Sequence, residues 1–292
     1  MFFQKIRQVA CVLALLNAAT FAFAQTSLPF TVISPSPTPL RGITGLAVAS
    51  DGTAWASVAD GNLYEVDRAT GAFTLVGAFG NTVRDLAIDR SDQLYGMCEG
   101  AEANVLCSID TATGEATLIG SGTGLSTYFA AITFVGSTLY YVQNTGEGGG
   151  TIDTTTGVAT PTAVPSDGVR SYGTTALGYD PSSGLLIGND CCDTGVGGQS
   201  LISFNPADMS VVVLGIPTGT QQFHDFAVYS GVVYAVTGGG NKGLDDSDSF
   251  GTVSLPLPRP APATTPVPAL PLFGLLALGG LLGLFGLRKL KQ

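Results

Sequence analysis

The chain is 292 residues long, carries 12 Lys+Arg against 22 Asp+Glu for a net charge of −10, and contains one His, five Cys and 40 Gly. So acidic a chain excludes a nucleic-acid surface, which needs clustered Lys and Arg against phosphates. With 45% apolar residues there is ample material for a core, and collagen, disorder and coiled coil are excluded as well.

The first segment pairs Lys5 and Arg7 with an apolar stretch from Val9 to Ala24 and closes on Ala22-Phe23-Ala24 before Gln25. A basic start, a short apolar run and a small-x-small triplet predict a secretory signal peptide over 1–24. The alternative, an uncleaved anchor helix, is disfavoured because the run is shorter than the ~20 residues that a membrane span prefers.

From residue 25 to 258 the sequence repeats. Ile43 to Gly80 and Val83 to Gly122 align strand for strand, with LYEVDRATGAFTLVG in the first above LCSIDTATGEATLIG in the second. Each copy reads as an apolar strand, a strand often opening Leu-Tyr, a third strand ending in Asp-x-x-Thr-Gly, and a fourth of small and β-branched residues ending in Gly. Further copies start near Ala130, near Thr174 and at Phe223. The aligned apolar residues Leu46, Leu86, Ile132, Leu177 and Phe226 are 40, 46, 45 and 49 residues apart. Four short strands per ~40–50 residues is the period of a propeller blade.

The last copy lacks its fourth strand, and Phe30-Thr31-Val32-Ile33-Ser34 reads like Phe73-Thr74-Leu75-Val76-Gly77. The predicted fold is therefore all-β, a β-propeller of five four-stranded blades closed by the N-terminal strand, with six blades if the long fourth copy hides a further hairpin. A β-sandwich or β-solenoid is the competing architecture, and the asymmetric four-strand unit weighs against both. Over residues 30–258 the repeat resembles bacterial secreted propeller domains with LY…D…TG…LG units. That resemblance implies the fold and names no catalytic residue.

Behind the body, Pro256 to Pro271 is too proline-rich for helix or sheet and predicts an extended spacer, with linker and motif placed at 259–271. Leu270 to Leu287 is an uncharged apolar run of 18 residues followed by Arg288, Lys289 and Lys291. At about 1.5 Å per residue it reaches about 27 Å, enough to span a bilayer. The basic residues are expected to stay cytoplasmic and leave the body outside. Val267-Pro268-Ala269-Leu270-Pro271 and the segment 272–292, a helix over Leu272 to Leu287 with the basic tail Arg288 to Gln292, resemble the PEP-CTERM type of sorting domain, with its IPTL-CTERM relatives. The resemblance implies processing by an exosortase-type enzyme near the motif. It also implies transient anchoring in the inner membrane of a Gram-negative bacterium, then display at the cell surface or release beside exopolysaccharide or matrix proteins. A plain C-terminal membrane anchor is the alternative.

Four Cys remain in the exported body, where the compartment favours disulfides. Cys98–Cys107, on facing strands of one hairpin, and the adjacent Cys191–Cys192 are the favoured pairs, with free thiols or cross-pairing at 191 and 192 left open. Arg84-Asp85 and His224-Asp225 occupy one register at the start of a first strand. There they could approach the channel mouth and hold a cation or sugar hydroxyl, or Asp85 and Asp225 could bond the neighbouring blade's backbone. Asp245, Asp246 and Asp248 offer oxygen ligands for Ca2+, without the spacing of an EF-hand. No other cofactor is expected.

No Ser-His-Asp arrangement or spaced pair of Glu is visible. The leading expectation is thus a non-enzymatic, surface-sorted propeller for adhesion or interaction in the extracellular matrix. The alternatives are a glycan-active hydrolase or lyase with its site at the channel mouth, and a calcium- or redox-dependent binding module.

Overall fold

Each repeat folds as an antiparallel meander, because its apolar runs are short, rich in β-branched and aromatic residues, and separated by turn residues. The structure, a computed structural model, describes residues 26–34, 42–99, 104–125, 130–190, 200–218, 222–238 and 249–255. The predicted signal (1–24), the linker with Val267–Pro271, the helix of 272–292, Cys191, Cys192, Asp245, Asp246 and Asp248 lie outside the described residues. Among the described residues no helix is long and apolar enough to cross a membrane.

Twenty strands are described. β1 (Ser27–Ser34) precedes the repeats. The first unit is β2 to β5 (Ile43–Val48, Ala54–Val58, Asn62–Val66, Phe73–Ala78) and the second is β6 to β9 (Val83–Ile88, Leu94–Cys98, Val105–Ile109, Ala116–Ile119). The third is β10 to β13 (Ala130–Val135, Thr138–Gln143, Gly149–Ile152, Ala159–Ala163), and the fourth is β14 to β17 (Leu177–Asp180, Leu185–Asn189, Leu201–Phe204, Val211–Thr218). The fifth holds β18 to β20 (Gln222–Tyr229, Val232–Gly238, Ser249–Ser254). Among the described residues the fourth copy holds four strands, β14 to β17.

First strands pack in a closed cycle, β2 on β6, β6 on β10, β10 on β14, β14 on β18 and β18 back on β2. The core is accordingly divided into five apolar clusters, each between neighbouring units, rather than gathered at one centre. Where the fifth unit lacks a fourth strand, β1 supplies it, running antiparallel to β20 with Phe30 opposite Val253 and Thr31 opposite Thr252. The sequence did not indicate a second engagement. Ser27, Leu28 and Pro29 pair in parallel with Ile216, Pro217 and Thr218 of β17, so the fourth and fifth units merge into one eight-stranded sheet. Phe30 is buried and meets Phe223 edge-on at 6.2 Å.

Closing a ring in this way leaves the inner edge of every first strand facing the axis, with backbone amides that have no ladder partner. Two carboxylates serve four of them. Asp85 Oδ1 accepts from Leu86 N at 2.7 Å and Oδ2 from Ile132 N of the next unit at 2.7 Å. Asp225 Oδ1 accepts from Phe226 N at 2.8 Å and Oδ2 from Leu46 N of the next unit at 2.5 Å. Both side chains are buried. A register shift in β6 and in β18 at these positions aims them along the edge. In the first unit the same position is Gly45, where a Cβ would come within 2.8 Å of Leu86 N. The junction there is bridged instead by Thr44, whose hydroxyl donates to Val83 O at 2.7 Å.

The repeat's glycines have a matching role at the periphery. In the Asp-x-x-Thr-Gly turn, Asp67 accepts from Ala69 N at 2.8 Å, Thr70 Oγ1 accepts from Ala72 N at 3.3 Å, and Gly71 takes φ 70°. Asp153 repeats the pattern with Thr155 and Thr156. The amides of such turns hold Asp67 and Asp153 below the ordinary carboxylate range. In the first two units the Gly at the end of the fourth strand abuts the turn of the next unit: Gly77 lies against Thr113 and Gly114, and Gly120 against Thr156 and Gly157. The fourth unit breaks the motif yet keeps the turn, with Asn205 and Asp208 capping amides and buried Met209 at φ 57° in the glycine's place.

The predicted disulfide Cys98–Cys107 is present between β7 and β8, with the Cα atoms 5.9 Å apart.

Replacing Asp225 by Ala should lower stability by about 2–4 kcal/mol in urea denaturation, since two buried amides lose charged acceptors; a change below about 0.5 kcal/mol would refute the edge-bonding role. Gly114→Ala and Gly61→Ala both carry positive-φ strain of about 1–2 kcal/mol, but only at Gly114 would the methyl meet a neighbouring unit, 2.6 Å from Gly77 O. Thermal melting should therefore separate the two, with Gly114→Ala several degrees lower; equal melting temperatures would count against the peripheral contact.

Candidate functional site

The two ends of the ring differ in kind. At the end where first strands begin, long connections over 99–104, 120–129, 164–176, 190–200 and 239–248 alternate with short ones over 59–61, 79–82, 144–148 and 219–221. At the other end the turns after the first strands span only 49–53, 89–93, 136–137, 181–184 and 230–231. Long connections on a rigid scaffold are where binding residues usually sit, and all four sequence-predicted channel-mouth residues are at this end.

Their side chains have separate partners. Asp85 bridges the β6–β10 junction and Asp225 the β18–β2 junction, as described, so both oxygens of each carboxylate are taken by amides. Arg84 turns to the connection after β7, where its Nε donates to Glu99 Oε1 at 2.8 Å and a second guanidinium nitrogen pairs with the same oxygen. His224 occupies the register shift of β18 and is buried. Asp85 and Asp225 thus each join an amide of their own strand to one of the next unit.

Further along this end, Arg170 forms an ion pair with Asp190 at 2.6 Å and lies over the Tyr172 ring at 4.1 Å. Tyr172 in turn donates to Asp167 at 2.8 Å. The Arg170 and Val169 amides, then the Tyr172 hydroxyl, hold Asp167 below the usual carboxylate range; burial, then Asp167, push Tyr172 up. Asn189 joins the fourth unit to the fifth. Its Oδ1 accepts from Thr174 Oγ1 at 2.7 Å and Ala176 N at 3.1 Å, while Nδ2 donates to Phe223 O at 3.4 Å. No sequence signal marked Asn189, which ends a second strand rather than opening a first. Among the described residues no group of three or more His, Cys, Asp or Glu could hold a metal ion.

The opposite end holds a cavity of about 500 Å3 to which all five first strands and their turns contribute. Val48, Ile88, Phe134 and Val228 form apolar wall, and Ser50, Arg90, Tyr179 and Tyr229 stand around the rim. Ser50 is fixed by Asp92, which accepts from its N at 2.8 Å and its Oγ at 2.7 Å. Tyr229 is fixed by the Arg68 guanidinium, 4.4 Å from the ring centroid. Sequence reasoning missed this wall, although a signal existed: two residues beyond each aligned apolar position stand Val48, Ile88, Phe134, Tyr179 and Val228.

No protein-family model and no curated protein matches the chain. Solved structures do. A protein of unknown function from Bacteroides thetaiotaomicron is 15% identical with a TM-score of 0.53, over 80% of this chain and 71% of that one. The PQQ-bound aldose sugar dehydrogenase from Streptomyces coelicolor is 13% identical with a TM-score of 0.50, over 78% and 98%. A gluconolactonase from Xanthomonas campestris is 13% identical with a TM-score of 0.50, over 78% and 80%. At such identities the likeness concerns the fold alone, and together with the closed cycle of first strands it supports a β-propeller.

Proposed function

We propose that this chain is a five-bladed propeller that is exported, sorted through its C-terminal segment and displayed at the surface as a binding module rather than an enzyme. The observation that carries the reading is the commitment of Asp85 and Asp225, the buried acids best placed for chemistry near the axis, to the amides of their own and neighbouring strands. A carboxylate with both oxygens engaged in this way is a poor acid, base or cation ligand. Export is supported by the Cys98–Cys107 disulfide, because such bonds persist in oxidising compartments. It is supported further by the signal-like and sorting-like ends of the sequence. The end of the ring where first strands begin, with its described connection 164–176, is the face offered to extracellular polysaccharide or matrix proteins, and an exosortase-type enzyme is the processing partner.

Mass spectrometry of the protein released from the surface of its own cells tests the reading. The expected C-terminus falls at or near Val267–Pro271. A released chain that still ends in Gln292 would sink the sorting claim.

A further inference from the structure

We propose that the cavity at the short-turn end binds a small organic anion whose apolar body enters the axial throat and whose carboxylate meets Arg90. This is a second site, at the opposite end from the surface invoked for matrix binding, and it stands independently of that reading.

The argument begins with the cations. Four basic residues are described, and three are committed to protein groups. Arg68 donates to Gly52 O at 2.6 Å and lies over Tyr229 and Tyr234; Arg84 pairs with Glu99 and Arg170 with Asp190. Arg90 differs: among the described residues it takes part in no ion pair, and it is exposed at the rim of the cavity. Its guanidinium reaches from the turn after β6 to the turn after β10, where it rests on Gly136; a Cβ there would come within 2.7 Å of Nη2. That contact places the guanidinium beside the turn after β10, at the mouth of the cavity.

The throat beneath is the wrong environment for a hydrated ion. Its wall is built from Val48, Ile88, Phe134 and Val228, with Leu46 and Leu86 deeper. A pocket of about 500 Å3 with apolar walls and an arginine at its rim suits a ligand with an apolar body and one opposite charge. Of the neighbouring acids, Asp89 also lines the cavity. Asp89 accepts from Ser91 N at 2.8 Å and Gln93 N at 3.0 Å, and Asp92 is held by Ser50. A guanidinium can grip a carboxylate through two parallel hydrogen bonds, which favours this headgroup over a neutral one.

The probe is 4-phenylbutyrate, titrated by calorimetry into the purified full-length chain beside its uncharged counterpart 4-phenylbutanol. Saturable one-to-one binding of the acid is expected, with Arg90→Gln weakening it about tenfold at an unchanged melting temperature. Arg90→Lys should retain part of the affinity, and the alcohol should bind weakly and equally to all three proteins. Absence of saturable binding to the native chain, or equal affinity in Arg90→Gln, would overturn the proposal. Should Arg90→Gln melt lower, the acid-over-alcohol preference in Arg90→Lys decides: preference supports the site, and equal binding overturns it.

Discussion

The constraint on which this architecture rests is the inner edge of its first strands. A four-stranded meander satisfies its backbone internally except at its two rims, and stacking units around an axis gathers one of those rims from every unit into a space that is partly closed to water. Unpaired buried amides cost about 1–3 kcal/mol each, so a ring that ignored them would be difficult to stabilise. Asp85 and Asp225 meet the need by using one oxygen at home and one next door. Because each carboxylate spans a junction, the bond that satisfies an amide also fixes the register of one unit against the next.

At the periphery the problem is steric rather than polar. Outer strands must pass close to the turns of the following unit, and Gly77 against Gly114 shows how close, with a Cβ on either one colliding with backbone. The two glycines of the repeat are thus halves of one contact, contributed by adjacent copies. A motif that looks local in the sequence is maintained by a neighbour some 40 residues away.

Much of this was legible in the residues, for identifiable reasons. Strand boundaries followed from short apolar runs between turn residues. The Asp-x-x-Thr-Gly turn followed from side chains that bond amides two residues on, and Cys98–Cys107 from facing positions in a hairpin. The closing role of β1 was legible from the likeness of Phe30-Thr31-Val32 to Phe73-Thr74-Leu75. Its parallel pairing with β17 was not, since Ser27, Leu28 and Pro29 pair along the backbone, with Ser27 Oγ meeting Thr218 Oγ1 at 3.2 Å, and leave no repeating pattern in side-chain type. Nor could the sequence decide between the two roles open to Asp85 and Asp225, because the deciding partners, Ile132 N and Leu46 N, belong to other repeats. The rim residue Arg90 lay in an exposed polar turn, where nothing distinguishes a gripping cation from a solvated one.

The dual pairing of β1 also governs the order of assembly. Phe30 meets Val253, so β1 can settle only once β20 has been made. Contacts that join the extremes of a sequence carry the largest loop-closure entropy and tend to form slowly. Until then β17 and β20 both present naked margins to their surroundings. A nascent chain of this design is therefore most vulnerable to entanglement with its neighbours in the interval just before completion, and the same lock that ends the interval leaves the finished wheel without a loose seam.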